Sequence, residues 1–183
     1  MKKKWMAGVL VLGILAAGCG QKTPETADTQ SGYRNDRAPM ELVQAVAQEL
    51  GDEYWADMEV PAEALETMYG VTSDLYEDYY GQIPMISAHA DSLLIVKAAQ
   101  GKEAQVEEAL GAYQENLQQD TFQYPANLSK IQASQLQTYG SYVCFVQLGG
   151  SMEGTDGEAE KEVTACQEAN ERALEVIRKE LTQ

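Results

Sequence analysis

Histidine is almost absent from this chain of 183 residues, where His89 is the single one. A hydrolase using a Ser–His or Cys–His dyad would have to be built on that one imidazole. Cysteine is scarce as well: Cys19, Cys144 and Cys166 stand far apart, without the C-x-x-C spacing and second ligand pair of a structural zinc site. Positive charge is short, with 13 Lys+Arg against 29 Asp+Glu and a formal net charge of -16. That excludes sequence-independent binding to DNA or RNA, which needs Lys and Arg to neutralise phosphates. No apolar run reaches the about 20 residues that cross a bilayer core. P-loop, G-x-S-x-G, dinucleotide and EF-hand patterns are missing, so neither a nucleotide nor a metal cofactor is expected. What is present is a globular composition, 44% hydrophobic and 23% charged, in a length that suits one compact domain rather than two.

The first residues read as an export signal. Lys2, Lys3 and Lys4 form a basic start, Trp5–Ala17 an apolar run of 13 residues, and small residues precede Cys19. The stretch Leu15-Ala16-Ala17-Gly18-Cys19 resembles a bacterial lipobox, with Ala16 where the pattern most often has Leu. The resemblance implies cleavage after residue 18 and lipidation of Cys19; an ordinary secretory signal and an N-terminal membrane anchor are the alternatives. Two acyl chains on the cysteine would hold the protein where one is marginal. Cleavage takes away three lysines and no acid, leaving 10 basic against 29 acidic side chains, a net charge of -19. Anionic headgroups repel such a body, so the lipid and not charge would keep it at the membrane.

Residues 19–38 are poor in apolar side chains and read as a flexible tether, a coil spanning on the order of 25 Å. A single globular domain is expected over 39–183. Met40–Leu50 places Val43, Val46, Ala47 and Leu50 on one helical face and ends at Gly51. Pro61–Tyr69 repeats the plan with Leu65, Met68 and Tyr69 inward, while the acidic segment between the two is ambiguous. Ser73–Tyr80 alternates as a strand does, Gly81 and Pro84 break it, and Ser92–Ala99 is the clearest strand. Val106, Ala109, Leu110, Tyr113 and Leu117 mark an amphipathic helix. After a break at Tyr124-Pro125, Lys130–Gln137 and Ser141–Leu148 read as a hairpin, the second strand turning Tyr142, Cys144, Val146 and Leu148 to one side. Thr155-x-x-Glu158 has the pattern of a capping box for a last helix over Glu158–Leu181. Its inward face is Val163, Cys166, Asn170, Ala173, Leu174, Ile177 and Leu181, and Glu168/Arg172 and Glu175/Lys179 are paired on the outside. The expected class is α+β: a small antiparallel sheet of three to four strands packed against helices, with N- and C-terminal helices.

Tyr79-Tyr80, Ala90-Asp91, Ile95-Val96-Lys97, the helix around Val106, Tyr124-Pro125 and Gly140-Ser141-Tyr142-Val143 together resemble a family of bacterial lipoproteins, the domain of unknown function 4358, over about residues 39–150. The resemblance implies a Gram-positive cell-envelope setting and an accessory role. It transfers no catalytic or ligand-binding residue.

Four readings of individual residues follow. His89 is a loop residue or a general base, and Asp91 a turn or cap residue beside it. Cys144 and Cys166 both project onto core faces of an exported protein, so a disulfide and two separate buried thiols both fit. On a strand Tyr76, Asp78 and Tyr80 would share a face, and with Tyr79 they form a tyrosine-carboxylate platform for a partner protein or a wall-associated ligand. The expected function is that of a lipid-anchored, extracytoplasmic, non-catalytic binding or accessory module; the alternative is an envelope hydrolase or transferase using acidic residues and His89.

Overall fold

The computed structural model describes residues 32–86 and 89–183. The expected export signal and the expected lipid site at Cys19 lie outside the described residues. Among the described residues five α-helices and five strands follow in chain order, with a short 3-10 turn at Gly51–Glu53 after the first helix: α1 (Pro39–Leu50), β1 (Met58–Glu59), α2 (Ala62–Thr67), β2 (Tyr76–Ile83), β3 (Ser92–Ala98), α3 (Glu103–Gln119), α4 (Pro125–Gln132), β4 (Gln135–Tyr139), β5 (Tyr142–Gln147) and α5 (Ala159–Thr182). The strands make one antiparallel sheet in the order β1-β2-β3-β5-β4. The expected α+β class is borne out, helices at both ends included; the fifth strand is the short β1, taken from the ambiguous acidic segment.

Both faces of the sheet are covered, which explains why residues 93–96 of β3 and 142–146 of β5 are apolar without interruption. Leu93 and Ile95 of β3 join Tyr142, Cys144, Val146 and Leu148 against α1 and α5 in one core. Leu94, Val96 and Ala98 join Val143 and Phe145 against α2 and α3 in the other. Period-two alternation thus sorts a continuous apolar run between two cores. Each buried Val, Leu or Phe side chain adds about 1.5–3 kcal/mol.

Several local expectations are corrected. Tyr124-Pro125 does not break the chain; it starts α4, with Pro125 at the first helical position, where its missing N–H costs nothing. Residues 130–132, expected extended, are therefore helical. Strand β2 begins at Tyr76 because Thr72–Leu75 is a turn closed by Leu75 N–H donating to the Thr72 carbonyl (3.0 Å). Gly81 lies inside β2 and not at its end. A Cβ there would stand 2.8 Å from Leu94 Cδ1, so only glycine lets the strands approach this closely. Met68, expected inward, is exposed, while Leu65 and Tyr69 are buried. Thr155 does not cap α5. Its hydroxyl donates to the Met152 carbonyl (2.9 Å), and the cap residue is Glu158. Of the expected outer pairs on α5, Glu175–Lys179 forms (3.7 Å), whereas Arg172 reaches Glu53 at the far end of α1.

The last residues of the expected tether lie on the domain. Tyr33 packs on Tyr139 (ring centroids 5.3 Å), Arg34 N–H donates to the Leu181 carbonyl (2.9 Å), and the Tyr142 hydroxyl donates to the Arg37 carbonyl (2.7 Å) and accepts from its N–H (3.1 Å). Tyr142 pairs with Lys97 at one end of the sheet, and Gln147 pairs with Ser92 at the other. The N-terminal segment therefore joins the body at the Tyr142 end.

Burial pushes the Tyr142 phenol up to about 12. A phenol whose folded value lies above its unfolded value of about 10 stabilises the fold below the unfolded value, and that contribution is lost as pH rises through the folded one. Stability should therefore decline between about pH 10 and 12. Tyr142→Phe should cost about 1–2 kcal/mol at neutral pH, through loss of both Arg37 bonds, and make this decline shallower. Urea melts across that pH range, with Tyr142→Phe beside the parent, measure both effects.

Candidate functional site

At the Ser92/Gln147 end, three segments converge on one buried ion pair. Asp91 immediately precedes β3, Lys130 is on α4, and Gly149 follows β5. The Asp91 carboxylate is fully enclosed; Oδ2 accepts from Lys130 Nζ, and Oδ1 accepts from the Gly149 N–H (2.8 Å). The backbone just before Asp91 is held from both sides, the Ala90 N–H by Asn127 Oδ1 (3.2 Å) and its carbonyl by Gln147 Nε2. Lys130 reaches this point because α4 turns Asn127, Lys130 and Ile131 inward at i, i+3 and i+4. Its aliphatic stem lies in the interior while the ammonium meets the carboxylate.

The wall beside the pair is made of glycine for steric reasons. A Cβ on Gly149 would come within 2.7 Å of Lys130 Cε, and one on Gly150 would collide with the Ala165 carbonyl of α5. Asn170 on α5 ties the layers together: its Oδ1 accepts from Leu148 N–H (2.8 Å) and its Nδ2 donates to the Ala133 carbonyl (2.7 Å). Ser129 donates to Glu162 Oε2 (3.0 Å) between α4 and α5.

Above the pair opens a cleft of about 360 Å³, lined by Asp52, Glu53, Trp55, His89, Lys130 and Met152 together with the glycine wall. Trp55 and His89 stack, with centroids 5.5 Å apart and planes within 18°. The tryptophan is 59% exposed, so its other face is open to a ligand. Glu53 is paired with Arg172, and no ion pair is present for Asp52 among the described residues. Further exposed apolar side chains crowd the same end: Met58 on β1, Met85 and Ile86 after β2, Met152 after β5, and Phe122, Tyr124 and Leu128 around the start of α4. Asp57 holds the Met85 N–H (3.1 Å), tying the two sides of the patch.

The structure unites His89 and Asp91 at this end but gives them different roles. Asp91 is a buried structural carboxylate, and His89 is an exposed loop residue stacked on Trp55. No Ser–His or Cys–His hydrogen bond exists among the described residues. Cys144 and Cys166 are separate buried thiols, not a disulfide; burial pushes the Cys144 thiol well above its ordinary range. No group of acidic, histidine and cysteine side chains among the described residues is arranged for a metal ion.

The tyrosine segment does not present one face. Pairing of Tyr76 with Ala98 and of Asp78 with Lys97 leaves Glu77 as an extra residue, a bulge that resets the alternation. Tyr76 and Tyr79 consequently share the α2/α3 side, ring to ring at 5.3 Å, and the Tyr79 hydroxyl donates to the Val60 carbonyl (3.2 Å). Tyr80 packs on the opposite core, where its hydroxyl accepts from Gln82 Nε2 (3.4 Å). Asp78 Oδ1 accepts from the Tyr79 N–H (2.9 Å).

Sequence reasoning missed Lys130, Trp55 and the glycine wall. A signal for Lys130 existed: Asn127, Lys130 and Ile131 fall at helical spacing once Pro125 is taken as a first helical residue. Trp55 carried none, because nothing local links it to His89, 34 positions on.

A family model described as domain of unknown function (DUF4358) matches residues 50–148, more than half of the chain, and the chain belongs to that family. The match includes Asp52, Glu53, Trp55, His89 and Lys130 of the cleft and ends just before its glycine wall and Met152. No curated protein and no solved structure matches the chain. None of the described helices is long and apolar enough to cross a membrane.

Removing one partner of a buried ion pair leaves the other charge uncompensated, at a cost of about 3–5 kcal/mol. Asp91→Asn and Lys130→Met should each destabilise the domain by that order, and the double variant should recover most of the loss. Denaturant melts of the three variants close the double-mutant cycle; additive losses would show that the pair is not the source.

Proposed function

We propose that this DUF4358 chain is a lipid-anchored, extracytoplasmic protein of the bacterial cell envelope, acting as a binding or accessory module without chemistry of its own. The observation that carries this reading is the polarity of the domain. The N-terminal segment, which leads back toward Cys19, joins the body at the Tyr142 end of the sheet. The cleft and most of the exposed large apolar side chains sit at the other. Seven residues of β3 separate the two ends by about 20 Å. An anchor on Cys19 would therefore be attached at the end opposite the cleft, leaving the cleft free to meet a partner.

A cluster of exposed apolar side chains is costly to keep in water unless it meets a partner. That argument favours the cleft end over the segment Tyr76, Asp78, Tyr79 and Tyr80 as the contact surface, because those tyrosines already pack on the two cores. A hydrolase or transferase reading is less well supported, since Asp91 is shut from the cleft by Lys130 and Gly149.

Crosslinking in intact cells tests both parts. Mass spectrometry of the purified protein should show a chain beginning at a lipidated Cys19, and Cys19→Ala should leave it without lipid and lower the yield of crosslinked partner. Met85→Ser with Ile86→Ser should abolish capture at an unchanged melting temperature. Tyr76→Ser with Tyr80→Ser should instead lower that temperature. Undiminished capture by the Met85/Ile86 variant would reject the cleft end as the contact surface.

A further inference from the structure

Resting on that reading, we infer that the cleft end docks a basic polypeptide segment that also carries apolar side chains, with a cationic side chain laid on the open face of Trp55. Three features specify this occupant. The chain without residues 1–18 has a net charge of -19, a field that concentrates cations and repels anionic ligands. Around the apolar patch the charges are one-sided. Asp52, Asp57, Glu59 and Asp120 are exposed there, while Lys130 is neutralised by Asp91, and Arg172 by Glu53. The opposite end of the sheet differs: Arg34, Arg37, Lys97 and Arg178 are all present, each paired with a carboxylate.

An exposed indole flanked by carboxylates attracts an ammonium or guanidinium group through its π face and through charge together. His89 stacks on one face of the ring, so the ligand meets the other. Met58, Met85, Ile86 and Met152 supply the adaptable apolar surface beside it. Residues 33–37 of the chain itself lie at the far end of the sheet and so do not fill this cleft.

The test uses the purified full chain in non-ionic detergent and a fluorescein-labelled amphipathic peptide of leucine and lysine, read by anisotropy. A leucine-glutamate peptide and a chitin oligosaccharide serve as competitors. The lysine peptide should bind saturably and more weakly as salt is raised. Trp55→Ser, and separately Met85→Ser with Ile86→Ser, should weaken it by about tenfold, with Trp55→Phe intermediate. Glu168→Gln with Glu171→Gln, in the acidic groove between α1 and α5, should change it by less than about twofold. Loss of binding through the groove variant, or equal binding of the glutamate peptide, would overturn the inference. Saturable binding of a fluorescein-labelled chitin oligosaccharide, with no saturable binding of the peptide, would overturn it too and assign the cleft to sugar. Failure of the anchoring reading is a separate outcome, visible as an unlipidated mass with the peptide result unchanged.

Discussion

The ion pair between Asp91 and Lys130 is the constraint on which one whole end of the molecule depends. It joins three segments that are distant in sequence: the approach to β3, the middle of α4 and the exit from β5. A carboxylate taken out of water survives there because it has both an ammonium and a backbone N–H to accept from. Gly149 is a consequence of the pair, since the lysine stem passes too close for a side chain, and Gly150 is imposed by the backbone of α5 at Ala165. The cleft in turn exists because this wall is flat and Lys130 is drawn inward.

The rest of the domain is governed by the sheet. Strands β3 and β5 divide an unbroken run of apolar side chains between two cores, so the α1/α5 layer and the α2/α3 layer are independent readers of the same residues. The long helix α5 links the two ends, beginning beside the glycine wall and finishing where the N-terminal segment joins the body. Asn170 in its middle satisfies two backbone groups of the interior that would otherwise be left unpaired. Paired charges occur at both ends, and the cleft end adds a set of exposed apolar side chains.

Much of this fold was legible because it rests on local periodicity. Helices α1, α3 and α5 and strands β3 and β5 follow from apolar spacing of 3.6 or 2, and the turned-in set Tyr142, Cys144, Val146 and Leu148 is the set that packs on α5. The errors arise where a residue type has two meanings. Pro125 reads as a break but starts a helix, Gly81 reads as a break but allows close strand packing, and one extra residue at Glu77 puts Tyr76 on the face of Tyr79 rather than of Tyr80. The candidate site was less legible: His89 and Asp91 were picked out, but in roles the structure exchanges for packing and charge burial.

The sequence by itself determined the class of fold, the acidity and the identities of the core faces, because these depend on composition and near-neighbour spacing. Only the tertiary structure decided that Lys130 neutralises Asp91, that Trp55 lies on His89, that Cys144 and Cys166 stay apart, and that the cleft opens at the end remote from the N-terminal segment. Those are contacts between segments tens of residues apart. Their partners are selected by sheet order and helix packing, quantities that no window of local sequence contains.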